Sequence, residues 1–176
     1  MPEMHWSERT GLAMDPADEP VDIVDEDDRV VATATRREVR QRALLHRCTY
    51  VLLRNAAGEV LVHRRTDTKD IFPGAYDVFS GGVCAAEESY DDCARREVAE
   101  EFGAVGAELL FLFKHRYRGP GGQAWGAVYE GRWDGAVRPQ ASEVAWHAWV
   151  APPQLDDMLR ELPFCPDSRA IFVRLR

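Results

Sequence analysis

Residues 82–103 of the chain read GVCAAEESYDDCARREVAEEFG. Helix-forming residues run from about Glu88 up to Gly103, which is predicted to end the helix because glycine readily adopts a left-handed C-cap conformation. Three glutamates within it stand three and four residues apart, Glu97, Glu100 and Glu101. A 3.6-residue period places such residues along one face, with neighbouring Cβ atoms about 5–6 Å apart. The pattern therefore predicts a helix that carries a cluster of mutually repelling carboxylates.

This acidic face has two interpretations, a solvated surface or a metal site. A helix taken alone favours the first, because runs of charge are usually solvated. Here a predicted strand and the Gly81-Gly82 loop precede the helix and anchor its N-terminal half, which leaves the carboxylates free to face a cleft. Hard oxygen ligands suit Mg²⁺, with Mn²⁺ as the second choice, and such ions bridge to substrate phosphates. We therefore predict a metal site made by Glu97, Glu100 and Glu101.

The same residues, 82–103, are called the box below, because they resemble the signature of the Nudix family. That signature is a glycine, five residues, a glutamate, seven residues, and then Arg-Glu-aliphatic-x-Glu-Glu-x-Gly-aliphatic. The positions in register are Gly82, Glu88, Arg96, Glu97, Val98, Glu100, Glu101 and Gly103. The last aliphatic position departs from the signature, since Ala104 stands there and Val105 follows. So many specified positions make a chance match rare.

The resemblance implies an α/β fold, namely an α/β/α sandwich with a mixed β-sheet and a loop-helix-loop catalytic motif. It implies that Mg²⁺ is held mainly by Glu97 and Glu101, with Glu100 close by. Arg96 then resembles the family arginine that orients those carboxylates, with Glu88 as its ion-pair partner. The implied reaction is attack of water on phosphorus, which cuts a phosphoanhydride bond. We expect the substrate to be a nucleoside diphosphate or a similar small molecule in which a diphosphate is linked to another group.

The general base of this reaction is left open. Glu100 and Glu101 in the box compete with Glu130 and Glu143 on later segments. The box is preferred, and Glu143 ranks next because its segment precedes a tryptophan-rich strand. An exposed loop glutamate is the plainer interpretation of Glu143.

Residues ahead of the box are candidate substrate ligands. Arg65 and Lys69 flank a predicted Pro-Gly turn, where a guanidinium and an ammonium group can contact phosphate. A solvated strand end is the alternative for both. Gly81 and Gly82 permit a close turn of the backbone, and we predict that they lie against the substrate.

Beyond the box, the chain looks like the Nudix branch related to isopentenyl-diphosphate isomerase, over roughly residues 21–150. Aligned on Glu88, the catalytic cysteine of that isomerase falls at Gly81 and its metal-binding histidine at Val83, so both are missing. Without the thiol, the pair that protonates and deprotonates carbon is incomplete. We therefore predict hydrolysis rather than isomerisation.

A binding module that recognises a nucleotide without turning it over is an alternative of another class. The intact glutamates argue against it, because a module freed from catalysis has no physical need for clustered, mutually repelling carboxylates. The leaving group, the nucleobase and the phosphorus that is attacked are left open, as is the oligomeric state.

The amino-acid composition limits the classes of partner and the cellular compartment that we expect for this protein. The 22 Lys and Arg residues against 30 Asp and Glu residues, a formal charge of −8, argue against nucleic-acid backbones and anionic membranes as partners. No apolar run approaches the roughly 18 residues that a spanning helix needs. Four widely spaced cysteines indicate free thiols in a reducing compartment. We expect a soluble, cytoplasmic protein.

The rest of the chain is read as one domain, residues 21–176, behind a flexible N-terminal arm, residues 1–20. Patterning predicts two short strands around an acidic turn, a hairpin, three later strands and two C-terminal helices, over residues 21–35, 48–64, 107–150 and 154–175. His63 is predicted to face outward from its strand and to take no part in chemistry. A set of tryptophans is a possible homodimer face, with burial inside one subunit as the alternative, Trp133, Trp146 and Trp149.

Overall fold

The computed structural model describes residues 14–175. The first part of the predicted arm, residues 1–13, lies outside this range. The strands are β1 Pro20–Val24, β2 Val30–Thr35, β3 His46–Arg54, β4 Val60–Arg65, β5 Tyr76–Asp77, β6 Glu108–Gly119, β7 Gly122–Arg132 and β8 Val144–Val150. The helices are α1 Arg36–Arg42, α2 Tyr90–Phe102, α3 Pro152–Glu161 and α4 Pro166–Phe172, with short 3-10 helices at Pro16–Asp18 and Val173–Leu175.

The strands form one mixed sheet around β3. This strand pairs in parallel with β7 along its whole length and antiparallel with β1 and β4. β2 pairs with β1, β5 and β8 pair with β4, and β6 pairs with β7, all antiparallel. The prediction of a mixed sheet is confirmed. β3 is apolar on both faces because helices cover both of them.

Two hydrophobic cores lie on opposite faces of the sheet. Alternate residues of β3 belong to different cores, since Val51 and Leu53 pack in one and Leu52 in the other. The first core contains Val98 and neighbouring apolar residues of α2. The second contains Leu155 of α3 together with apolar residues of α4. Helices on either side of one sheet make the predicted α/β/α arrangement.

The central helix α2 ends before Gly103 as predicted and begins at Tyr90, two residues after the predicted start at about Glu88. Ser89 is the N-cap and accepts a hydrogen bond from the backbone N–H of Asp92. Gly103 ends the helix at φ +68°, in the left-handed conformation that favours glycine. Ala104 is fully buried in the first core, whereas Val105 is 73% exposed. The alanine therefore fills the last aliphatic position of the box, and Val105 does not replace it.

Helix α1 was not predicted. Its seven residues are almost all polar, so no apolar period marks them. The sequence feature that marks the start of this helix is a capping box, in which Thr35 and Glu38 exchange hydrogen bonds across the first turn. Val39 packs with Val21 and Ile23 in a third small core, which holds α1 against β1.

The bounds of the other predicted elements differ less from those in the structure. The sequence predicts strands over residues 107–115 and 124–133, and in the structure β6 runs on to Gly119 and β7 begins at Gly122. The strand predicted to end at residue 80 shortens to Tyr76–Asp77, with a single bridge between Val51 and Ser80. The four cysteines are free and buried. Among the helices described here, none has both the length and the apolar composition needed to cross a bilayer.

Candidate active site

A cleft of about 740 Å³ opens between α2, α1 and the loops that follow β4 and β7. It is lined by nine of the residues predicted for the site, namely Arg65, Lys69, Gly81, Gly82, Arg96, Glu97, Glu100, Glu101 and Glu143. Glu130, the other candidate base, is absent from its walls and pairs instead with Arg54 at 3.0 Å. The structure thus brings residues from four separate segments around one space.

Arg96 forms ion pairs with three glutamates of the box. Its guanidinium donates to both carboxylate oxygens of Glu88, at 2.7 and 2.9 Å, in a bidentate pair. It also donates to Glu97 at 2.8 Å and to Glu100 at 3.2 Å. Burial raises the pKa of Glu88, but the hydrogen bonds from Arg96 and from the backbone N–H of Ala85, together with the charge of Arg96, leave that pKa lowered. Arg96 therefore holds three carboxylates in fixed positions.

Glu101 is the buried carboxylate of the cleft. Its Oε2 accepts hydrogen bonds from Ser80 Oγ at 2.8 Å and from the backbone N–H of Gly81 at 3.3 Å. Burial raises the pKa of Glu101 to about 8, and although the Ser80 hydrogen bond lowers it, the charge of Glu97 raises it further. Without a cation, this carboxyl group holds a proton at neutral pH.

Glu97 lies against the glycine loop. A Cβ atom on Gly82 would stand 2.5 Å from its Oε1, so this position leaves no room for a side chain. A Cβ atom on Gly81 would stand 1.9 Å from the backbone oxygen of Thr49, a still closer clash. Burial raises the pKa of Glu97, partly opposed by Arg96. The glycines are therefore needed for close packing of the loop on β3 and α2.

The prediction for His63 was wrong. The side chain is 1% exposed rather than facing outward, and its Nε2 lies 3.4 Å from Oε1 of Glu101. Burial lowers the pKa of His63 to about 3, helped by the charges of Arg65 and Lys69, so the ring is neutral. Strand β4 is covered on both faces, and this is why alternation along the strand misled the prediction.

The basic residues ahead of the box are held by other parts of the chain. Lys69 forms an ion pair with Glu143, which lies just before β8. Arg65 donates to the backbone oxygen of Ile71 at 3.0 and 3.2 Å, which closes the loop after β4. These contacts place one ammonium and one guanidinium group on the wall of the cleft.

Sequence reasoning missed several residues of the cleft. Arg36 and Arg40 stand one turn apart on α1 and both line it. Arg36 pairs with Glu19 at 3.1 Å, and Arg40 pairs with Asp70. Asp77 and Asp167 line it as well. The capping box of α1 could have revealed the arginines, but no local pattern marks the two aspartates.

The carboxylates fit a divalent cation such as Mg²⁺. Glu101 is buried and Glu97 is partly buried, and both offer hard oxygen atoms. Burial raises the pKa of each carboxyl group, so a bound cation would relieve an unfavourable arrangement of like charge. Glu100 adds a carboxylate whose side chain is 56% exposed. Mg²⁺ usually keeps several waters, so all three groups need not contact it directly.

A different trio brings its donor atoms closer together, within 4.8 Å, namely Cys84, Glu88 and Cys93. It is a poor metal site. The guanidinium of Arg96 already occupies both oxygens of Glu88. The hydrogen bond with Cys93, together with burial, raises the pKa of the Cys84 thiol, whereas a metal needs a thiolate. We therefore assign this trio to packing.

Comparison with known proteins supports one family. A family model described as NUDIX domain matches residues 44–173. A relative from Streptomyces coelicolor, the uncharacterized Nudix hydrolase SCO1686, is 52% identical over 165 residues, which is 93% of this chain and 91% of the relative. These matches include the whole box.

Solved structures agree on the fold. The crystal structure of DR0079 from Deinococcus radiodurans superposes with a TM-score of 0.76 at 25% identity and covers 89% of this chain and 98% of that one. The Nudix domain of Shewanella oneidensis NrtR, cocrystallised with ADP ribose, gives a TM-score of 0.59 at 20% identity, with 74% of this chain and 85% of that one covered. Because the family model spans most of the chain and a near full-length relative carries the family name, the chain belongs to the Nudix hydrolase family, which acts on phosphoanhydride bonds.

Proposed function

We propose that this protein is a Mg²⁺-dependent hydrolase, with Mn²⁺ as a substitute, that cuts the phosphoanhydride bond of a nucleoside diphosphate-type substrate. The observation that carries the proposal is one cleft whose α2 wall bears Glu97, Glu100 and Glu101 and whose other walls bear basic side chains. Carboxylates suit the cation and basic groups suit the diphosphate. A small anionic substrate is thereby accommodated by a chain of net negative charge.

The residues of the chain have separate tasks in this proposal. A bound cation would lower the pKa of the attacking water and offset charge on the diphosphate oxygens. Glu97 and Glu101 hold the cation, and Arg96 fixes Glu97 and Glu100 by hydrogen bonds. Arg65 and Lys69 face the diphosphate across the cleft, and the backbone of Gly81 and Gly82 forms part of its wall.

Glu100 is the favoured general base. A base must be able to reach the water, and the Glu100 side chain is more than half exposed. Both oxygens of Glu101 already have polar neighbours, which suits a ligand better than a base. Glu143 ranks second because its carboxylate is already paired with Lys69.

Hydrolysis is favoured over isomerisation. The positions where the related isomerases carry their cysteine and histidine hold Gly81 and Val83. Cys84 does not replace the thiol, since its side chain is buried and its pKa is raised. The relation to the isomerase branch itself stays a prediction, as do a cytoplasmic location and homodimerisation. Trp146 is 43% exposed and is the tryptophan of the proposed dimer face that is most available to a partner.

The test is phosphate or nucleotide release from a panel of nucleoside di- and triphosphates, nucleotide sugars, dinucleotides, CoA and ADP-ribose. ADP-ribose is included because the NrtR Nudix domain was crystallised with it. Each compound is assayed with Mg²⁺, with Mn²⁺ and with chelator. We expect release from at least one compound, lost with chelator. Binding of a compound without turnover of any would instead indicate a nucleotide-binding module.

A further inference from the structure

The two carboxylate oxygens of Glu101 have different polar neighbours. Oε2 has two donors, the hydroxyl of Ser80 and the backbone N–H of Gly81. Oε1 faces Nε2 of His63 at 3.4 Å. The hydrogen bonds from Ser80 and Gly81 are thus both on Oε2, whereas His63 is a polar neighbour of Oε1.

A histidine is unusual at the buried position of His63. His63 lies on β4 in register with Asp77 of β5 and His147 of β8, and its buried ring packs edge-on to Phe102 with 5.1 Å between ring centroids. Its Nδ1 is buried without a hydrogen-bond partner among the described residues. A buried polar atom without a partner costs free energy that an apolar side chain of similar size would avoid. Packing alone therefore gives no reason for a histidine here.

We propose that His63 is a positioning residue for Glu101. Its Nε2 lies next to Oε1, and a hydrogen bond donated from Nε2–H to Oε1 would set the plane of the carboxylate when the cation is bound. A shift of a few tenths of an ångström brings this contact to the length of an ordinary hydrogen bond, about 2.9–3.0 Å. The inference rests on the proposed function, because it takes Glu101 as a ligand of the divalent cation. Groups that orient metal ligands in this way typically change metal affinity when removed.

The test uses His63→Leu and His63→Gln, with Mn²⁺ as the probe. The dissociation constant of Mn²⁺ from the substrate-free protein is measured by electron paramagnetic resonance, and the Tm is measured with chelator. We expect His63→Leu to weaken Mn²⁺ binding by roughly 10–100-fold. Its Tm should be unchanged or higher, because the unpaired Nδ1 is gone. His63→Gln keeps an N–H donor and should recover most of the affinity. If leucine prevents folding, His63→Met carries the same expectation.

His147→Leu is the matched control. His147 is the cross-strand partner of His63 but lies outside the walls of the cleft, so Mn²⁺ affinity should not change. Two results would overturn the inference: His63→Leu binds Mn²⁺ as tightly as the unaltered protein, or both His63 variants lose Tm and affinity together, as a packing role requires. Absence of Mn²⁺ binding by the unaltered protein would instead remove the metal assignment of the proposed function, and this inference with it.

Discussion

The two walls of the cleft are built in different ways. On the α2 wall, three carboxylates come from one helix, and Arg96 of the same helix holds two of them. The opposite wall takes Arg36 and Arg40 from α1 and Lys69 from the loop after β4, and each of these pairs with an acid from a different segment. The acidic wall is therefore local in sequence, whereas the basic wall is assembled by tertiary contacts.

The largest effect is expected from the α2 wall. Glu101→Gln exchanges one carboxylate oxygen for an amide group of equal size, so the fold should persist while the charge that holds the cation is lost. We expect metal-dependent turnover to fall by at least about 100-fold, more than the loss of an outer group causes. The measurement is kcat/KM on the best substrate of the panel, together with the Tm to confirm folding. Full activity of a folded Glu101→Gln protein would disprove the metal assignment.

A smaller effect is expected from the opposite wall. Replacing Arg36 and Arg40 together by glutamine removes two guanidinium groups from the cleft while the carboxylates stay in place. We expect KM to rise about tenfold, equivalent to about 1.4 kcal/mol of binding, with a smaller change in kcat. Arg42→Gln is the control, since this arginine lies on the same helix but is not among the residues lining the cleft. If Arg42→Gln raised KM by the same factor, the effect would come from the change in overall charge and not from the loss of groups in the cleft.

The smallest effect concerns stability and pH without metal. Burial raises the pKa of Glu101 from 4.5 to about 8, so between these values the folded protein binds a proton that the unfolded chain releases. The stability linked to this proton is complete below about pH 4.5 and is lost as the pH rises toward 8. With chelator, the Tm of the unaltered protein should therefore fall relative to Glu101→Gln from pH 5 to pH 9.

Saturating Mg²⁺ provides the control for this comparison. A cation that binds ionised Glu101 should cancel the relative loss in the unaltered protein and leave the variant unaffected. A Tm difference that does not change with pH in chelator would show that Glu101 is ionised in the folded protein across this range.

Prediction from sequence succeeded where residues act on their near neighbours. The glutamate spacing placed the carboxylates on one helix face, and the register of Glu88 with Arg96 matched a bidentate pair eight residues apart. It failed for His63, because alternation along β4 does not tell whether one or both faces of a strand are covered. It also missed α1, where a capping box was present but no apolar period supported it.

The sequence by itself determined the α2 wall, its glycine turns and the family, since helical period and glycine conformation act over a few residues. Tertiary structure alone decided that Glu101 is buried against Ser80 and His63, and that Lys69 meets Glu143 across 74 positions of the chain. Burial and long-range ion pairs depend on how the sheet brings distant segments together. No local pattern encodes that arrangement, and it sets both the protonation of Glu101 and the pairing of the basic residues that line the cleft.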